Sequence, residues 1–396
     1  MAYHPGRPFL QIPGPTNVPL AVLAEISKPT IDHRGPEFAK LGRAVLSEIR
    51  LVFKTRQPVV IYPASGTGAW EAALVNTLSP GDTVLMYETG WFASLWKKMA
   101  GRLGLTVETI ETDWRSGVDA RTIEARLAED KEHAIKAVCV VHNETSTGVR
   151  SDIAAVRKAI DAAGHPALFL VDTISSLGSI DYRHDEWGVD VTIGGSQKGL
   201  MLPPGLSFNA VSKKALSKSA TARLPRSYWD WEDMLSINAT GYFPYTPATN
   251  LLCGLKKALE LLQEEGLENV FIRHDRAAAA TRRCAEHWGL AVNCLTPSNH
   301  SSSLTAVWVP EGFSADTLRA DILKRSNMAL GNGLGRLGDK VFRIGHLGDF
   351  NDLAIAATLA GIEMGLDALK IPYRKGGVEM ALAVLGQNSG NEDKGS

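Results

Sequence analysis

Cysteine is scarce in this sequence, neither charge sign is in surplus, and long apolar runs are missing. The four cysteines, Cys139, Cys253, Cys284 and Cys294, form no CxxC pair and no Cys/His cluster, which argues against a zinc site and against a disulfide framework. They read as buried free thiols in a reducing compartment. Lys and Arg together number 42 against 43 Asp and Glu. With no Lys/Arg-rich block either, the footprint of a nucleic-acid or anionic-membrane binder is missing. No apolar run approaches the length of a membrane span, Met1 to Pro8 lack the apolar core of a signal peptide, and Lys394-Gly395-Ser396 is not a peroxisomal address. A cytoplasmic protein with a small ligand is expected.

What is present is enough for two globular domains: 396 residues, 44% of them hydrophobic. Short apolar runs recur at Val59 to Tyr62, Thr83 to Tyr87, Ala137 to His142, Ala167 to Asp172, Val189 to Ile193 and Leu206 to Val211. None alternates with period two, which fits strands buried on both faces of a mostly parallel α/β sheet. Ile153 to Ala163, between Asp152 and Gly164, is placed as a crossover helix. From Ala248 to Trp288 the pattern is helical. Beyond it, strand-like Leu304 to Val309 and Val341 to Ile344 alternate with helical Ala315 to Lys324 and Asp352 to Leu369, as in a second, smaller α/β domain. The expected division is an N-terminal segment at 1–20, a large domain at 21–270, a small domain at 271–385 and a disordered tail at 386–396.

Ser65-Gly66-Thr67-Gly68 follows one of these strands and precedes a helical stretch, so its N–H groups and hydroxyls can face an anion at a helix N-terminus. Alone, it reads equally as an ordinary glycine-rich helix start. No GK[ST] follows, and Glu71 stands where a dinucleotide fingerprint requires a small residue. Asp172 closes a buried strand at its carboxyl end, where α/β sheets hold ligands. It suits either a cationic partner, such as a protonated pyridine nitrogen, or a turn cap. Lys198 sits in Gly194-Gly195-Ser196-Gln197-Lys198-Gly199, whose glycines are expected to let a flat ring approach the backbone. A lone loop lysine is usually solvated. A phosphate cradle, a strand-end acid and a glycine-flanked lysine in that order are, together, the parts of a pyridoxal-phosphate site, with Lys198 as the Schiff-base residue.

The chain resembles the class V aminotransferases of fold type I, in the branch acting on serine or alanine with glyoxylate. The likeness is carried by Pro13-Gly14-Pro15-Thr16, His33-Arg34-Gly35-Pro36-Glu37-Phe38, Ser65-Gly66-Thr67, Gly90-Trp91-Phe92 and Glu144-Thr145-Ser146-Thr147-Gly148. It continues through Val171-Asp172-Thr173, Ser196-Gln197-Lys198, Tyr245-Thr246-Pro247 and Arg343-Ile344-Gly345-His346-Leu347-Gly348. The resemblance implies an α/β fold with a mostly parallel seven-stranded sheet, a smaller C-terminal α/β domain and pyridoxal 5'-phosphate as cofactor. It implies that Lys198 carries the cofactor, Asp172 pairs with its ring nitrogen, and Ser65, Gly66, Thr67 and Gln197 contact its phosphate. Phe92 would stack on the ring, Thr145 would place a hydroxyl beside it, and Arg343 would grip the substrate carboxylate. A homodimer with shared sites is implied too, Thr246 with either Tyr245 or Phe243 reaching the partner's phosphate, and His33 and Arg34 lining a substrate pocket.

For the substrates, the resemblance implies a small amino acid and a 2-oxo acid, serine with glyoxylate first and alanine next. The run Tyr228-Trp229-Asp230-Trp231 and Thr67 carry the preference for serine. No second arginine appears in a matching motif, which disfavours aspartate and glutamate. Two rivals stand beside this reading. A cysteine desulfurase would need a nucleophilic cysteine on a mobile loop, for which only Cys294 could serve. A noncatalytic phosphate-ligand module would not need Lys198, Asp172 and Arg343 together. His142, His274 and His346 form no metal-ligand spacing and are expected to be structural.

Overall fold

The computed structural model describes residues 8–387, so the tail expected at 386–396 lies, beyond Gln387, outside the described residues. Seven strands form the sheet that carries the site, in the spatial order Val59–Tyr62, Ser207–Val211, Val191–Gly195, Leu168–Asp172, Ile135–Val141, Thr83–Glu88, Thr106–Glu111. Ser207–Val211 runs antiparallel to both neighbours, and the other pairings are parallel.

Each central strand feeds two cores. Val59 and Ile61 enter one, Val60 and Tyr62 the other; Phe169 and Val171 oppose Leu168 and Leu170 in the same way. A strand covered by apolar layers on both faces is mostly apolar, which is why the sequence shows runs without period-two alternation there. Thr106–Glu111, at the edge opposite Val59–Tyr62, escaped the pattern because it lacks cover on both faces, its Thr and Glu residues being half-buried or exposed. The crossover helix is Ile153–Ala162, capped by the Asp152 carboxylate accepting from Ala155 N at 2.9 Å.

The smaller sheet orders Phe9–Gln11, Met328–Asn332, Val341–Gly345, Leu304–Trp308. Its first strand comes from the chain's beginning and pairs in parallel with Met328–Asn332. The chain then crosses to the large sheet, where Thr16 N donates to the Gln197 carbonyl at 3.2 Å. Between the two bodies runs the helix Leu267–Trp288, whose Val270 belongs to a large-domain core while Cys284 and Trp288 belong to the small one. The edge expected between residues 270 and 271 therefore falls inside one helix, Leu267–Trp288, and no turn or linker marks the change there. Among the described residues no helix is long and apolar enough to cross a membrane.

Candidate active site

Lys198 follows the strand Val191–Gly195 and is 7% exposed. Its Nζ donates to the Pro13 carbonyl. Gly14 beside it has φ +96°, and a Cβ there would lie 2.6 Å from Nζ, so glycine is needed both for the backbone angle and for the approach. Gly194 abuts the side chains of Leu177, Phe53 and Phe208, and Gly199 packs on the Leu177 and Gly178 backbone. Gly195 instead faces Ile174 and the Gln197 amide, two residues that line the cavity beside Lys198. Burial, reinforced by the Arg343 charge, lowers the Lys198 amine to about 7, against the opposing pull of Asp172 and Glu144. Near neutral pH much of it is therefore the free base, the form a nucleophilic amine requires.

Asp172 ends the strand Leu168–Asp172 and is buried. Its Oδ1 accepts from Ile174 N at 2.7 Å and its Oδ2 from Trp70 Nε1 at 2.9 Å. It is thus a turn cap and a site carboxylate at once. Burial raises it to about 7, opposed first by the two hydrogen bonds; Glu144 adds to the rise and Lys198 works against it.

The helix Gly66–Thr77 begins at Ser65, and no side chain caps its first turn. That end opens on a cavity of about 220 Å³ lined by Ser65, Gly66, Thr67, Phe92, Thr145, Asp172, Gln197 and Lys198, together with Gly14, Trp70, Val141 and Ile174. A side chain at position 66 would strike Ile174. Phe92 stands in the first turn of the helix Trp91–Arg102. Glu144, fully buried, anchors that turn: its Oε1 accepts from Phe92 N at 3.3 Å and from Ser146 Oγ at 2.7 Å, and its Oε2 from Ala93 N at 3.1 Å. A carboxylate at a helix N-terminus is favourably placed, although burial raises its affinity for a proton.

Arg343, 6% exposed, comes from the small sheet. Its Nε donates to the Asn332 carbonyl and its Nη1 to the Thr145 carbonyl, both at 2.7 Å. Burial lowers it to about 10, with Glu144 opposing, and it still stays cationic at neutral pH. Neither Arg343 nor the remaining expected residues are among those that line the cavity. Tyr245 donates its hydroxyl to the Ile61 carbonyl at 3.0 Å and stacks on Tyr228, while Thr246 is exposed. Phe243 packs edge-on against Phe38. His33 and Arg34 precede the helix Pro36–Phe53; His33 Nε2 has no partner among the described residues, and Arg34 is exposed.

Trp70, Glu144 and Gly14 join the site without having been assigned a role from the sequence. Glu144 and Gly14 lie in motifs that carried the resemblance, so position gave a signal but chemistry did not. Trp70 gave none beyond its helical spacing. His142, His274 and His346 hold buried hydrogen bonds to Ser176, to the Val270 carbonyl and to the Ser302 carbonyl, and burial lowers each to about 3. No cysteine lines the cavity; Cys294 is buried and its thiol is pushed up by burial, which disfavours the desulfurase reading.

The sequence pattern of the family described as "Aminotransferase class-V" matches residues 9–335. The chain belongs to the class-V aminotransferases. This aminotransferase is 48% identical over 391 residues to the serine–glyoxylate aminotransferase of Methylorubrum extorquens, covering 97% of each chain. It is also 48% identical over 366 residues to the L-aspartate–glyoxylate aminotransferase of Paracoccus denitrificans, covering 92% of each. The solved pyridoxamine–pyruvate aminotransferase of Mesorhizobium loti matches its fold with a TM-score of 0.90 at 28% identity, covering 97% of this chain and 99% of that one. The seven-stranded, mostly parallel sheet of the aminotransferase is that of the fold type I transferases.

Proposed function

We propose that the protein holds pyridoxal 5'-phosphate on Lys198 and transfers the amino group of serine to glyoxylate, giving hydroxypyruvate and glycine. The observation that carries this reading is the single cavity joining a buried, partly neutral lysine, a buried strand-end carboxylate and an uncapped helix N-terminus. The residues suit the cofactor. Gln197 Oε1 is buried with no partner among the described residues, leaving its amide free to turn its NH2 toward an anion. Ser65, Gly66 and Thr67 would hold the phosphate at the helix end, Phe92 and Thr145 would flank the ring, and Asp172 would face its nitrogen.

The cofactor, when bound, supplies an electron sink for chemistry at the amino acid's Cα. The chain supplies the rest. Asp172, which burial raises to about 7, would be drawn to its anionic form by a cationic ring nitrogen opposite it. Lys198 Nζ, as the free amine, takes the proton from Cα and returns it. Arg343, held by two main-chain carbonyls and paired with no carboxylate, keeps its charge for the carboxylate of the substrate.

Glyoxylate as acceptor and serine as donor rest on the names of the relatives. Aspartate is the second reading, favoured by the equally similar Paracoccus denitrificans enzyme; against it, no second arginine stands in a matching motif to take a side-chain carboxylate. The test is kcat/KM with glyoxylate for serine, alanine, aspartate and 2-aminoethylphosphonate. A site group that bonds the serine hydroxyl, such as His33, would favour serine over alanine by about 5- to 150-fold, the effect of one buried polar group left unpaired. Preference for any other donor would overturn the assignment.

The reading includes a homodimer in a cytoplasmic setting. Thr246, His33 and Arg34, away from their own cavity, would serve the site of a second copy; the Tyr245 hydroxyl is engaged within its own chain. Sedimentation showing an active monomer would reject the shared site.

A further inference from the structure

One polar contact of the cavity has no part in the chemistry above: the bond from Trp70 Nε1 to Asp172 Oδ2, 2.9 Å long. Trp70 lies in the helix Gly66–Thr77, is 2% exposed, and stacks on Trp96 with ring centroids 5.9 Å apart at 14°. Burying an indole leaves an N–H that needs a partner. In this same core, however, Trp96 Nε1 has none among the described residues. Satisfying an indole is therefore not a rule of the local packing, and the Trp70 donor is aimed at the one carboxylate that lines the cavity. With Ile174 N on Oδ1, the two donors grip both oxygens and fix the plane of the carboxylate.

We propose that Trp70 is a positioning residue for amino transfer, its indole N–H holding the Asp172 carboxylate anionic and oriented for a cationic ring nitrogen. The proposal rests on the pyridoxal-phosphate reading. A hydrogen bond donated to a carboxylate favours its charged form, and here burial works the other way. Of the other charges facing Asp172, Lys198 favours the anion and Glu144 opposes it. The indole N–H thus supports the ionised state where the site needs it.

The test uses the full chain as wild type, Trp70→Phe, Asp172→Asn and the double variant, each with and without added pyridoxal 5'-phosphate. Phenylalanine keeps an aromatic ring in the core and removes the donor. Without the cofactor, the Asp172 titration, read by carbon-13 NMR of labelled aspartate, should move up by about one pH unit or more in Trp70→Phe, the effect of one hydrogen bond to a charged group. With the cofactor, the pH midpoint of its absorbance should move, and kcat for serine should fall about tenfold while KM changes far less. In the Asp172→Asn background the Trp70→Phe change should have almost no further effect on kcat, because the bond acts through Asp172.

An unmoved Asp172 titration, or an equal loss of kcat in both backgrounds, would overturn the proposal. Should Trp70→Phe fail to fold, the wild-type chain still decides. One nitrogen-15-labelled indole resonance must titrate with Asp172 and cease to do so in Asp172→Asn; its absence overturns the proposal. A wild-type chain that takes up no pyridoxal phosphate overturns the cofactor reading itself, whereas a loaded wild type beside an unchanged Trp70→Phe overturns the role of Trp70 alone.

Discussion

Arg343 stands in the small sheet, Thr145 follows the large-sheet strand Ile135–Val141, and the Nη1 of the first donates to the carbonyl of the second at 2.7 Å. The guanidinium is thereby tied to the main chain of Thr145, a residue that lines the cavity, although Arg343 itself is not among the lining residues. Its other bonded nitrogen is held by the Asn332 carbonyl. Main-chain carbonyls orient the fork without cancelling its charge, unlike an ion pair.

Arg343→Lys should raise KM for the amino donor by about 10- to 100-fold with a smaller change in kcat, because an ammonium cannot reproduce a bidentate fork held by two carbonyls. Steady-state kinetics with serine and glyoxylate provide the check. An unchanged KM would remove Arg343 from the substrate site.

Lys198→Ala should abolish transamination, a loss of at least about 10²- to 10⁴-fold, since no other amine lines the cavity to carry the proton. The purified wild type should absorb in the visible or near-ultraviolet region, and this band should be altered in the variant. Near-normal turnover by Lys198→Ala would place the chemistry elsewhere.

The buried amine also predicts a pH-dependent stability in the cofactor-free chain. Burial and Arg343 depress Lys198 from 10.5 to about 7. For a depressed pKa, the stability linked to the group is complete above the unfolded value and is lost as pH falls through the window from 10.5 to about 7. Lys198→Met, apolar and of similar length, escapes this loss. Its melting temperature should exceed that of the wild type most clearly below about pH 7, with the advantage shrinking toward pH 10.5. A constant difference across that range would show that the amine is not depressed.

Asp172→Asn should keep the fold and slow kcat strongly, with less effect on KM, because the amide cannot hold a charge opposite a ring nitrogen. Circular dichroism and steady-state rates measured together separate the two effects. An unchanged kcat would break the pairing.

The sequence by itself determined the family and most strands of the large sheet, and it marked residues that the structure brings to one cavity. A strand buried on both faces is mostly apolar, so Val59–Tyr62 and Leu168–Asp172 announce themselves. Ordered motifs named Lys198, Asp172 and Ser65 to Thr67 because their chemistry depends on residue type. Only the tertiary structure decided what depends on approach through space. Gly14, far from Lys198 in sequence, is the glycine pressed against it; Trp70, on a helix, finds Asp172 at the end of a strand. Phe9–Gln11 joins a sheet built from the other end of the chain, through main-chain bonds that no side-chain pattern encodes. The same holds for the domain edge inside Leu267–Trp288. A helix that serves two cores keeps one period from end to end, so its sequence carries no sign of where one core stops and the next begins.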